Sequence, residues 1–247
     1  MEPYVHPNYE KPPILEAVIQ LEFGDQLDEA GLKRAADAVP AEYSSRKGET
    51  GFQIKMTATG PVHEAIGKGW RLSDVGAQKV VVLRPSVIAV ARLAPYPGWD
   101  TFFSDAWDVF CRVRTKVGYR KVSSVALRYV NRLDIPNDRV SAGYGDFVNV
   151  GLPAALPELG SSKAFLTQAD YYPVEGPADR VILRTATAEP ALISHASLIL
   201  DLDVMSNKEV PQTEVDLQKL MHKLRETKNR IFQACITSQA EALFKAR

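Results

Sequence analysis

Two cysteines in 247 residues, Cys111 and Cys235, are too few for a disulfide framework. Both fall on or near the apolar stripes of predicted helices, which reads as buried free thiols rather than a bridge or a nucleophile. A core of this size needs neither disulfide nor metal to be stable. An excess of one charge is missing too: Lys plus Arg and Asp plus Glu number 30 each. No global field therefore draws the chain to nucleic acid or to an anionic membrane. No apolar run approaches the length of a membrane span, and Met1 leads into polar, proline-bearing sequence instead of a signal region. The expectation is a cytoplasmic chain with no membrane partner.

Signatures of catalysis are equally scarce. The four histidines, His6, His63, His195 and His222, have no partner at metal-ligand spacing. Gly67-Lys68-Gly69 opens no helix, so it reads as a turn or bulge and not as a phosphate loop. No serine sits in a nucleophile elbow. Asp201 and Asp203 share one face of a predicted strand and would need a third carboxylate to hold a metal; a solvated strand end explains them more simply. These absences lean against an enzyme, and they imply no cofactor.

What is present is one order of elements, written twice. Residues 1–13, with Pro3, Pro7, Pro12 and Pro13, read as an extended N-terminal arm, because proline removes amide donors and fixes φ. Residues 14–121 then form a first unit. Leu15, Ala17, Ile19, Leu21 and Phe23 alternate as in a half-buried strand. A helix over Leu27–Val39 closes at Pro40, and strands are expected at residues 51–58, 63–72, 79–83 and 87–93, with a turn at Gly60-Pro61. Pro95-Tyr96-Pro97-Gly98 stops them. A helix capped by Asp100 follows, with Trp99, Phe103, Trp107, Phe110, Val113 and Val117 on its stripe and Gly118 at its end.

Residues 122–247 repeat the plan. A strand is expected over 122–135, a short helix over 144–156, and strands over 163–172, 180–187 and 192–204. The last helix is expected to run from Thr213 to Phe244 and to bury Leu217, Leu220, Leu224, Ile231, Cys235 and Ile236; unbroken, it would span about 45 Å. Strand–helix–strands–helix, duplicated, predicts an α+β fold: one curved antiparallel sheet backed by two long helices, TATA-binding-protein-like or helix-grip-like. Paired ferredoxin-like units compete, but they need a strand after each second helix, and the C-terminal end has none.

The segment Leu127-Arg128-Tyr129-Val130-Asn131-Arg132-Leu133-Asp134 carries the most chemistry. Arg128 and Arg132 share one strand face, about 13 Å apart, with Tyr129 and Asn131 on the other. The structural expectation is a cross-strand ladder of Glu16 and Glu22 with Arg128 and Arg132. Basic residues also cluster at Arg112, Arg114, Lys116, Arg120 and Lys121, and along the last helix at Lys219, Lys223, Lys228 and Arg230. Their default place is a solvated helix face; convergence with Arg128 and Arg132 would instead let them track a phosphate backbone.

Pro12-Pro13-Ile14-Leu15-Glu16-Ala17-Val18-Ile19, Pro95-Tyr96-Pro97-Gly98-Trp99-Asp100, the strand Leu127 to Pro136, and Ile231-Phe232 with Cys235-Ile236-Thr237 together resemble the marks of one family. It is a sporadically distributed bacterial and archaeal family of proteins of about this length. The resemblance covers nearly the whole chain and brings no catalytic residues; it implies an accessory role, in mobile-element biology or defence. The reading from sequence is thus a recognition module that holds a protein partner or small ligand on its exposed sheet face or groove. Arg128, Tyr129, Asn131 and Arg132 are its candidate contacts, with Glu16 and Trp99 as neighbours. A nucleic-acid-binding protein using the same face is the alternative, and a metal-dependent hydrolase or nuclease the second. Edge strands would allow a homodimer.

Overall fold

The computed structural model describes residues 9–57, 60–140, 143–153, 158 and 164–244. Among them nine strands form one antiparallel sheet accompanied by four helices, an α+β fold. In chain order these are β1 (Ile14–Phe23), α1 (Glu29–Ala38), β2 (Ser45–Thr57), β3 (Gly60–Ser73), β4 (Lys79–Arg84), β5 (Val87–Leu93) and α2 (Trp99–Val117). Then follow β6 (Val122–Pro136), β7 (Leu166–Tyr171), β8 (Arg180–Ala188), β9 (His195–Ser206), α3 (Glu214–Cys235) and α4 (Ser238–Phe244). The strand order is β2-β3-β4-β5-β1-β6-β9-β8-β7. Two compact units result. One comprises Val18–Val125 with Lys208–Gln212; the other comprises the chain through Ala17, Ala126–Asn207 and the chain from Thr213.

In the unit of Val18–Val125, Ile19 and Leu21 are buried, as the alternation of β1 requires. Asp28 caps α1 by accepting from the Gly31 amide at 2.7 Å. β2 starts at Ser45, six residues before the expected 51, because backbone pairing of Ser45–Thr50 with Lys68–Ser73 defines it and polar side chains give no signal there. Ala58 and the side chains of residues 50–67 lie outside what is described. Gly69 in β3 is required: a Cβ would come within 2.4 Å of the Leu83 carbonyl oxygen on β4. α2 begins at Trp99 after Gly98, so Asp100 is not the cap; it sits in the first turn, where its charge suits the helix dipole. The buried stripe is Trp99, Phe102, Ala106, Val109, Phe110 and Val113. Phe103 and Trp107 flank it half-buried, Phe103 stacking on Trp99 at 5.1 Å and on Trp107 at 6.1 Å between ring centroids.

The other unit packs α3 and α4 on β6, β8 and β9. Its core holds Leu133, Ile135, Leu198, Leu200 and Leu202 against Phe232, Cys235, Ala240 and Phe244. The helix expected over 144–156 is only a 3-10 turn at Tyr144–Asp146; residues 154–157 are outside those described. Phe147 and Val148 enter the core instead. The same segment ends α3. The Asn149 amide donates to the Cys235 carbonyl at 2.8 Å, its side-chain nitrogen donates to the Ile236 carbonyl at 3.1 Å, and Thr237 N–H donates to the Phe147 carbonyl at 3.1 Å. Ile236 is therefore extended, and the long helix is two: 22 residues, about 33 Å, then α4. Its buried face carries Met221 and Lys228 where Leu220 and Ile231 were expected. β7 begins at Leu166, Lys163 being outside the described residues, and β9 begins at His195 after a turn with Ser194 at φ 61°.

Candidate functional site

Alternation along β9 sends Leu198, Leu200, Leu202 and Val204 into the core, so Ser197, Asp201 and Asp203 occupy the face opposite α3 and α4. On β6 the same rule places Leu133 and Ile135 inward and Arg128, Arg132 and Asp134 outward. On β8 Arg180 and Arg184 are outward, Arg184 standing in register with Asp201 on one side and Gln168 on the other.

Asp201 is the hub of that face. Arg128 donates to it in fork geometry, Nε to Oδ1 at 2.9 Å and Nη2 to Oδ2 at 2.7 Å; Arg184 adds Nη1 to Oδ2 at 3.3 Å. The Asp201 side chain is 5% exposed while that of Arg128 is 43% exposed. Hydrogen bonding to Asp201 holds the Arg128 guanidinium above its ordinary pKa. Burial raises the neighbouring Asp203 carboxyl above the usual range, and among the described residues its buried Oδ1 has no hydrogen-bond partner. Arg184 Nε donates to Gln168 at 2.8 Å, Arg180 pairs with Asp170, and Arg132 donates to Asp134 at 3.0 Å. Asp134 also accepts from the Ser197 hydroxyl.

Two expectations need correction. The cross-strand ion pairs expected of Arg128 and Arg132 with Glu16 and Glu22 give way to other partners: Arg128 pairs with Asp201, Glu16 acting on it through charge, and Arg132 pairs with Asp134. Asp201 and Asp203 are not a solvated strand end, since two arginines cover Asp201. Among the described residues no three His, Cys, Asp or Glu side chains gather to hold a metal.

Tyr129 and Asn131 are not on this face. Both are buried beneath α3, Asn131 donating to the Tyr129 and Leu200 carbonyls at 3.3 and 3.1 Å. Lys228 lies with them: its Nζ stands 3.9 Å from the centroid of the Tyr129 ring, and the residue is 6% exposed. Lys228 is thus no part of a solvated basic face. Among the described residues no carboxylate pairs with it, and burial, aided by the charge of Arg225, drives its ammonium down to about 7. Its position, in phase with Leu217, Met221 and Leu224, was the signal that could have found it. Trp99 is buried in the other unit, stacked on Phe103.

The remaining candidates scatter. Arg112 pairs with Asp108 at 2.7 Å, Arg120 with Asp25 and Lys219 with Asp216 at 2.9 Å, so these cations are neutralised locally. His195 Nδ1 lies 2.9 Å from the Ile193 carbonyl, and His222 is exposed on α3; His6 and the His63 side chain are outside what is described. In the Val18–Val125 unit, Lys79 bridges Asp105 at 2.9 Å and Glu42 at 3.1 Å, with Arg92 3.9 Å from Asp105. That cluster ties α2 to β4 and β5. Burial raises the pKa of the adjoining Tyr43.

Compared with known protein families and with curated proteins, the chain matches none. Among solved structures it is similar to DynU16, a protein of the dynemicin biosynthetic locus, over 94% of this chain and 98% of that one. At 11% identity and a TM-score of 0.23, that similarity is too distant to bear on function.

Proposed function

We propose that the protein is a non-enzymatic, cytoplasmic recognition module that holds a polypeptide partner on the face of β6, β9, β8 and β7 opposite α3 and α4. The observation that carries this is Arg128. Asp201 fixes two of its nitrogens, while Nη1 engages no acceptor among the described residues and the side chain is 43% exposed. Such an arginine has already lost its rotamer freedom on folding, so an acceptor arriving at Nη1 meets a donor in place. The pairing of Arg128, Arg132, Arg180 and Arg184 with acids leaves the face alternating in charge. That pattern suits a polypeptide, which offers both donors and acceptors, better than a phosphate backbone. A duplicated TATA-binding-protein-like or helix-grip-like plan accompanies this reading. The strand order supports it, running β1-β5-β4-β3-β2 one way and β6-β9-β8-β7 the other.

The test isolates the native chain at mild salt beside Arg128→Lys, which keeps a cation at Asp201 but removes the outward Nη1 donor. The expected result is an absorbance ratio of pure protein and a co-purifying polypeptide with the wild type that the folded variant lacks. Co-purifying nucleic acid with steeply salt-dependent heparin retention, or an identical set of partners for both chains, overturns the reading.

A further inference from the structure

The other unit holds a groove of about 540 Å³ between α1 and the β2–β3 hairpin. That volume lies in the range of small-molecule sites. Ala30, Leu32 and Lys33 contribute from α1, and Trp70 and Gly48 from the strands. Gly48 stands opposite Trp70 in the ladder, and a Cβ placed on it would meet nothing within 4 Å. The missing side chain leaves open space beside a half-buried indole. The groove's two acids are both engaged, Glu29 by Lys68 at 3.7 Å and Glu49 by Arg71 at 4.0 Å. Lys33 forms no ion pair among the described residues, and it is exposed where it lines the groove.

We propose that this groove binds a flat aromatic carboxylate, its ring packed on Trp70 in the space over Gly48 and its charge met by Lys33. Aromatic packing supplies area with preferred geometry, and the lysine supplies a charge-assisted hydrogen bond. Neither depends on the Arg128 face, so each proposal can fail alone.

The test titrates naphthoate into the full chain and follows the tryptophan indole N–H signals by NMR, Trp70 being assigned through Trp70→Phe. A saturable shift of the Trp70 signal is expected, with the signals of Trp99 and Trp107 unmoved. Gly48→Val should weaken it roughly tenfold or more. If that variant does not fold, Ala30→Leu fills the same groove from the helix side and gives the same reading. Lys33→Glu should weaken naphthoate several-fold and leave neutral naphthalenemethanol unchanged. No saturable shift at Trp70, or equal binding by a folded groove-filling variant, overturns the site. An equal response of naphthoate and naphthalenemethanol to Lys33→Glu overturns the carboxylate assignment.

Discussion

An ammonium pressed against Tyr129, with no acid to pair with among the described residues, costs the folded chain the free energy of its desolvation. Lys228 titrates near 7 when folded and near 10.5 when unfolded, so between these values the unfolded chain binds the extra proton. Stability should therefore rise with pH from about 7, where the penalty is nearly full. Cys235 works in the opposite sense from pH 9 upward, because burial lifts its thiol from 9.0 to about 11. The clean window is pH 7 to 9. Lys228→Met should raise stability at pH 7 by on the order of 1–4 kcal/mol and flatten the rise of Tm across that window. Parallel Tm profiles for variant and wild type would rule the argument out. Arg128→Ala tests the other face: Asp201 keeps only Arg184, but water reaches the half-exposed site. The urea midpoint should fall by the equivalent of about 1–2 kcal/mol.

At the scale of elements, what the sequence made legible was whatever carried a side-chain period. β1, β4, β5, β6 and α1 lie where alternation and a Pro40 stop put them. The start of β2 was hidden because Ser45 to Thr50 pair through backbone alone. The end of α3 was hidden for the opposite reason: Cys235 and Ile236 continue the apolar stripe, and it is the distant Asn149 that captures their carbonyls. The site divides in the same way. That Arg128 and Arg132 share a strand face was readable; that Arg128 bonds Asp201 depends on β9 lying beside β6, which no local pattern encodes. Lys228 was misplaced because lysines on a helix ordinarily mark its wet side. Asn149→Ala should cost about 1–2 kcal/mol and speed amide exchange through α4, while β4 and β5 keep their protection. Unchanged exchange in α4 would show that its packing in the core, not the Asn149 bonds, holds the chain end.

For the whole molecule, the division of the chain makes an unfolding test available without any labels. All three tryptophans, Trp70, Trp99 and Trp107, belong to the Val18–Val125 unit, whereas helix and strand content comes from both units. Tryptophan fluorescence therefore reports one unit and far-ultraviolet circular dichroism reports both. β1 is divided between the units at Ala17 and Val18, and β6 at Val125 and Ala126. Each of these strands is one continuous element, so its backbone ladder is expected to be lost as a whole. The expected outcome is a single urea transition with the same midpoint by both probes. A fluorescence midpoint clearly apart from the dichroism midpoint would mean that β1 and β6 melt in halves, and stability changes measured for Lys228→Met would then belong to one unit alone.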